Sequence, residues 1–250
     1  MRPQADVQIG AVFMVGGGGL SVKFKVAMLA LDTVIFGGFD EMLKLYYSPG
    51  ACSLAPHIVL TEIGEPFGIE LVSSMDGSTQ TAEYLKLNPK GRVPALQIGD
   101  SILTEVSAIM SYLALTYPNA GLLSDTPIGR ARTIEWMNWL TGIHATDIAQ
   151  SWRTERFSDD TAVYAGIQAK GMKNLAKTCE QIDARLSQST WAVGEQYSIA
   201  DPYLLVFFRW GNRLGLDMSV YQHWVQHAKR MEQRGAVQVV LAVEEISIWS

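Results

Sequence analysis

The chain has 250 residues, 48% of them apolar, with a formal net charge of −5 and an isoelectric point near 5.4. That is enough apolar material to pack one large domain or two smaller ones, and it excludes a largely disordered chain. The acidic balance and the lack of any basic stripe argue against a nucleic-acid footprint, which needs clustered Lys and Arg.

Residues 1–41 are apolar and Gly-rich without a clean amphipathic period. The run 26–39 is too short to span a bilayer and carries Asp32. Lys23 and Lys25 interrupt any signal-peptide pattern, and no small-residue cleavage site is clear. The glycine tract 16–19 lacks the Lys-Ser/Thr of a phosphate loop and follows no clear strand. The stretch 1–41 is therefore expected to be an extension, with Met42 the start of the folded protein.

From Leu43 the pattern changes. LKLYY is a short apolar strand, SPGA breaks it, and CSLAPHIVLTEIG carries Leu54, Ile58 and Val59 at helical spacing up to a stop at Gly64. FGIELVS (67–73) reads as a second strand and TAEYLKL (81–87) as a short helix. NPKGRVPALQIGDSILTE (88–105) holds two strands around Gly99-Asp100, and VSAIMSYLALTY (106–117) is a helix that stops at Pro118. A β-α-β unit followed by a hairpin and a helix is a compact α/β domain of the thioredoxin kind with a mixed sheet, expected over 42–118.

PNAGLLSDTP is rich in turn residues, so 119–127 reads as a linker and 128–250 as an all-helical domain. Ile134, Met137, Trp139 and Leu140, and then Tyr164, Ile167, Met172, Leu175, Ile182 and Leu186, follow helical spacing. SIADPYLLVFFRW (198–210) opens with Ser198 as N-cap and Asp201 three positions on, an acidic capping box, and continues as a helix buried in the middle of the domain.

Cys52 falls at the predicted first turn of a helix, where unpaired N–H groups and the positive end of the dipole favour a thiolate. The competing reading is a small buried hydrophobe. No CxxC follows, since Ser53, Leu54 and Ala55 come next, so a dithiol mechanism is disfavoured. Cys52 and Cys179 form no spaced framework, and a reducing cytosol fits better than a disulfide-stapled secreted domain. His223 and His227, one helical turn apart, lack a glutamate after the first histidine and a third ligand; they read as a solvated face, and no metal is expected.

Four stretches in this order, YYSPGACS (46–53), NPKGRVPAL (88–96), TEVSAI (104–109) and YSIADPYL (197–204), resemble the glutathione transferases, over roughly 42–246. The first resembles the bacterial beta-class branch, which has a cysteine at this point. The resemblance implies the glutathione transferase fold, glutathione as co-substrate, a small hydrophobic electrophile as second substrate and a homodimer in the cytoplasm.

It also implies roles. Cys52 lies beside the glutathione sulfur. Val93 precedes a cis Pro94 and pairs with the cysteinyl part of the tripeptide. Glu105 and the residue after it, here Val106 where the family has Ser, hold the γ-glutamyl end at a helix start. His144, aligned with a one-residue gap near Gly142, faces the sulfur as donor or base; a satisfied core or surface histidine is the alternative. Trp152, Arg153 and Arg156 line the electrophile site or form a solvated helix end. The loop 72–84 lacks the lysine that beta-class members set against the glycyl carboxylate, leaving Gln80 or a residue elsewhere. The rival functions are a non-catalytic ligand-binding or scaffold protein of the same fold and a glutathione-dependent thiol-disulfide reductase.

Overall fold

The structure, a computed structural model, describes residues 42–73 and 75–250, so the expectations for 1–41 lie outside the described residues. The apolar run LKLYY forms β1 (Leu43–Tyr47), with Leu45 fully buried at its centre. β1 pairs in parallel with β2 (Phe67–Leu71) and antiparallel with β3 (Ala95–Ile98), which turns back as β4 (Ser101–Thr104); the sheet order is β2-β1-β3-β4. Leu45 stands in register with Ile69 on one side and Leu96 on the other.

A parallel pair needs a crossover, which α1 (Leu54–Ile63) supplies. It stops where Gly64 turns left-handed, φ 79°, and returns its N–H to the Leu60 carbonyl. The two-residue turn Gly99-Asp100 closes the hairpin, with Gly99 at φ 55°. The short helix α2 (Ala82–Leu87) begins under the Thr81 hydroxyl, which accepts the Tyr84 N–H at 3.3 Å. α3 (Val106–Thr116) buries Ile109, Met110 and Leu113 beside α1.

The helical part starts with α4 (Pro127–Ile143), capped by the Thr126 hydroxyl and entered through Pro127. The residues between α3 and α4 are not all surface chain. Leu122 is 1% exposed, and its carbonyl accepts the Ile199 N–H at 3.0 Å. α4 widens into a π-turn at His144–Ile148 and resumes as α5 (Ala149–Trp152); α6 (Tyr164–Leu186), α7 (Ala200–Arg213), α8 (Gln222–Glu232) and α9 (Gly235–Val243) follow. α7 is buried from Ala200 through Gly211, the central position expected of its apolar run. Each of its fully buried large side chains contributes roughly 1.5–3 kcal/mol.

α7 starts one residue later than expected, with Ile199 at the N-cap, so only the Asp201 half of the expected capping box forms; the Ser198 hydroxyl accepts the Ala200 N–H and donates to Asp201. The Asp201 carboxylate accepts the Ser198 and Ala192 N–H groups, each at 2.8 Å, and also meets His227 Nε2 at 2.9 Å. This corrects the solvated-face reading of the histidine pair: His223 is exposed, but His227 is fully buried. α8 turns Trp224, His227, Ala228 and Met231 inward together, so the histidine follows the buried side of its helix.

Candidate active site

Cys52 sits in the turn from β1 into α1, a loop stitched by its own backbone and by Ser53, whose hydroxyl accepts the Ser48 N–H and donates to the Ser48 carbonyl, both at 3.1 Å. Two residues before the cysteine, Gly50 is held by side chains far along the chain. Its N–H donates to Glu244 Oε2 at 2.7 Å, and its carbonyl accepts from Arg209 Nη1 at 3.2 Å and Trp210 Nε1 at 3.0 Å. Glu244 Oε1 faces His57 Nδ1 of α1 at 2.8 Å, with both side chains buried. Gly50 has φ +65°, which strains any side chain, and a Cβ there would lie 2.4 Å from the Arg209 guanidinium and displace it, so glycine suits the position.

The Cys52 side chain is 8% exposed and donates its S–H to the Val93 carbonyl at 3.3 Å. Burial pushes the thiol up to about 12. The backbone N–H groups of Cys52 and Ser53 and the Arg92 guanidinium pull the other way, while the Glu105 carboxylate adds to the rise. The expected thiolate preference at the helix start is therefore overturned: desolvation outweighs the N–H groups, and the group is a thiol at neutral pH.

The Val93-Pro94 bond is cis. The turn before it is anchored by Tyr84 Oη and Asn88 Nδ2, each donating to the Arg92 carbonyl at 2.7 Å. Glu105 ends β4 and opens α3 with φ 73° and ψ 125°, a left-handed conformation uncommon outside glycine. Its carboxylate is largely exposed and pairs with Lys90 Nζ at 2.6 Å. Val106 is buried, and the Ser107 hydroxyl turns away to the Met137 carbonyl and Thr141 of α4, so it does not replace the motif's missing hydroxyl. Gln80 is also committed elsewhere, donating to the Gly91 carbonyl at 3.1 Å.

His144 lies where α4 opens into the π-turn His144–Ile148. Its ring packs 4.8 Å from Trp210 and 6.5 Å from Phe207. Burial pulls its pKa down to about 4, helped by Arg156 and Arg92 and opposed by Glu105, so the imidazole is neutral at pH 7. Trp152 packs edge-on to Trp210 at 5.9 Å. Among the described residues, no group of three or more His, Cys, Asp and Glu is placed to hold a metal.

The structure thus joins Cys52 directly to Val93, and the Glu105 carboxylate acts on both Cys52 and His144. Sequence reasoning missed Gly50's partners Glu244, Arg209 and Trp210, and also Tyr203. The Tyr203 hydroxyl is raised first by burial and then by the Cys52 thiol, so α7 lies within electrostatic reach of the cysteine. Trp210 and Tyr203 were visible only as part of an apolar run, and Glu244 belongs to no motif.

The family model for the glutathione S-transferase N-terminal domain matches residues 50–116, and that for the C-terminal domain matches 163–234. Glutathione S-transferase GstA of Escherichia coli O157:H7 is 36% identical over 205 residues, covering 81% of this chain and 98% of the relative. Glutathione S-transferase GST-4.5 of Xanthomonas campestris pv. campestris is 33% identical over 207 residues, covering 82% and 100%. Among solved structures, a Sulfitobacter glutathione transferase homologue with bound glutathione aligns at a TM-score of 0.78 with 30% identity, covering 82% of this chain and 99% of that one. A bacterial beta-class enzyme from Sphingomonas chungbukensis aligns at 0.70 with 31% identity, covering 82% and 100%. With the α/β half, the helical half and nearly the whole length of these relatives matched, the chain belongs to the glutathione S-transferase family.

Proposed function

We propose that this chain binds glutathione along the edge formed by Val93 and the start of α3 and conjugates it to a small hydrophobic electrophile. One observation carries the reading: a buried S–H, a neighbouring backbone carbonyl and a strained acidic residue at a helix start converge in one place. The cysteinyl backbone of the tripeptide pairs with Val93 beside Pro94 like an added strand. Its α-ammonium meets Glu105, and its α-carboxylate meets the N–H groups at Val106 and the positive end of α3. The division of labour follows, with glutathione on 42–118 and the electrophile against 128–250.

In the reaction the glutathione thiol releases its proton to solvent and the thiolate sulfur attacks the electrophilic carbon; a C–S bond forms and the leaving group departs with its electron pair. Cys52 supplies a hydrogen-bond donor to that sulfur, using the S–H that now points at Val93. His144, neutral and weakly basic, serves as a second N–H donor rather than as the base. Reduction through a mixed disulfide would need the Cys52 thiolate, which burial opposes, so conjugation is the better supported reaction.

Both cysteines are free thiols, in keeping with a reducing cytoplasm. No helix among the described residues is long and apolar enough to cross a membrane. A two-fold homodimer is the commonest assembly for such enzymes in general. The test is turnover of glutathione with 1-chloro-2,4-dinitrobenzene. The wild type should release chloride stoichiometrically with conjugate, Cys52→Ala should keep part of that rate, and Glu105→Ala should raise KM for glutathione. A folded wild type that neither binds glutathione nor turns over contradicts the reading.

A further inference from the structure

His144 and Trp152 lie eight residues apart in sequence, yet both rings pack on the same indole, Trp210, at 4.8 Å and 5.9 Å. On an unbroken α-helix, at about 100° per residue, eight steps leave two side chains about 80° apart around the axis. The π-turn His144–Ile148 takes up one residue and brings the pair to within about 20° of each other. The widened turn thus aligns the two rings. Trp210 carries their position to the Cys52 loop, since its Nε1–H donates to the Gly50 carbonyl at 3.0 Å.

A π-turn is rare and the α-helix is the default, so something must hold this turn open. Asp147 lies inside it and is buried. Its Oδ2 accepts the Thr178 hydroxyl of α6 at 3.0 Å, and its Oδ1 lies 3.2 Å from the Thr146 hydroxyl, which also reaches the Gly142 carbonyl at 2.9 Å. The Ser151 hydroxyl donates to the Asp147 carbonyl at 2.8 Å. Thr146 and Ser151 therefore each return to a carbonyl four residues back, a bond that bends helices.

The rest of the hold comes from α6. Gln168, Gly171, Leu175 and Thr178 recur at spacings of three and four and share one side of that helix. Gln168 Nε2 donates to the Ser151 carbonyl at 3.2 Å. Gly171 admits α5 so closely that a Cβ there would lie 2.7 Å from Gln150 Cβ. Thr178 grips the turn and the other two grip the helix after it, which sets where α5 restarts.

We propose that Thr178 is a positioning residue: through Asp147 it fixes the register of the π-turn, and thereby the placement of His144 and Trp152 against Trp210 beside the Cys52 loop. Its consequence for catalysis rests on the glutathione reading, in which His144 donates to the attacking sulfur.

The register is read without any substrate from the magnetic resonance signals of the imidazole C–H groups in the full chain, with the signal lost in His144→Asn assigned to His144. An imidazole 4.8 Å from an indole carries a ring-current shift. Thr178→Val keeps the side-chain shape, removes the hydroxyl and should move that signal toward its value in the unfolded chain. Thr178→Ser should leave it in place. Leu186→Ala, a cavity farther along the same helix, controls for lost stability alone and should also leave it in place. Where Thr178→Val does not fold, Gly171→Ala tests the same hold: its methyl meets Gln150 and should move the Trp152 indole signal, assigned by Trp152→Phe. A His144 signal that Thr178→Val leaves unmoved, or that Leu186→Ala moves as far, overturns the proposal, as does an unmoved Trp152 signal in Gly171→Ala.

Turnover of glutathione with 1-chloro-2,4-dinitrobenzene reads the catalytic consequence. Thr178→Val should lower kcat about three- to tenfold and leave KM for glutathione within about twofold, because Val93 and Glu105 hold the tripeptide. Thr178→Ser should restore kcat. A change confined to KM, or a kcat that Thr178→Ser does not restore, overturns the catalytic role. Failure of the wild type to bind glutathione or turn over contradicts the function instead, and the resonance result then decides the register.

Discussion

The amide of Gly50 donates to the carboxylate of Glu244 across 194 residues of sequence, and that bond couples the Cys52 loop to the end of α9. The same carboxylate reaches His57 on α1, while Arg209 and Trp210 hold the other side of the glycine peptide. The loop bearing Cys52 is therefore shaped as much by the helical half as by the sheet it leaves.

Glu244→Ala removes the acceptor of a buried N–H and the partner of a buried histidine. Loss of one member of such a network costs about 3–5 kcal/mol. Glu244→Gln, which keeps an acceptor oxygen, should lose clearly less. Denaturant unfolding of both variants checks this; equal losses would show that the charge, and not the Gly50 bond, is what matters.

The rate of Cys52 alkylation in the free enzyme should keep rising above pH 9 toward the thiol's value near 12, where a free cysteine levels off. The sign for stability follows from the same shift. The folded state holds its proton more tightly than the unfolded chain, so this contribution is present below the unfolded pKa and is lost as pH rises from about 8.5 to about 12. A rate plateau near pH 8.5 would contradict the burial argument.

His144 runs the other way. With a folded pKa near 4 against an unfolded value near 6.5, the unfolded chain binds the extra proton first, so stability falls as pH drops through this window. The loss should reach as much as ~3 kcal/mol. His144→Asn should flatten the pH dependence of the unfolding midpoint between pH 6.5 and 4; an unchanged slope would place the titrating group elsewhere.

At Glu105 stability and binding should separate. Glu105→Gly relieves a left-handed backbone and should raise stability by about 1 kcal/mol or leave it unchanged. It also removes the partner of the tripeptide ammonium, and glutathione affinity should fall roughly 10- to 100-fold. Thermal unfolding and calorimetry on one preparation read both effects.

The legible part of the site is the part that local sequence encodes. Cys52 after a broken strand, Pro94 at a strand start and Glu105 before a helical run each stand in a short motif, and the strands, the hairpin at Gly99 and the buried α7 follow from periodicity and turn residues. The thiol's protonation was not legible, because the helix start is local whereas the burial that outweighs it is made by distant packing. Gly50's clamp was hidden for the same reason, its partners lying 159 to 194 residues away. His227 did carry a signal, since it shares the inward side of α8 with Trp224, Ala228 and Met231, but a pair of histidines one turn apart drew attention to the wrong face.

The most direct test is calorimetric titration of glutathione into the full chain, beside Cys52→Ala and Glu105→Ala. The structure predicts saturable one-site binding by the wild type, retained by Cys52→Ala and weakened at least tenfold by Glu105→Ala. A folded wild type with no heat of binding, or an affinity that Glu105→Ala leaves unchanged, would contradict the placement of glutathione between Val93 and the start of α3.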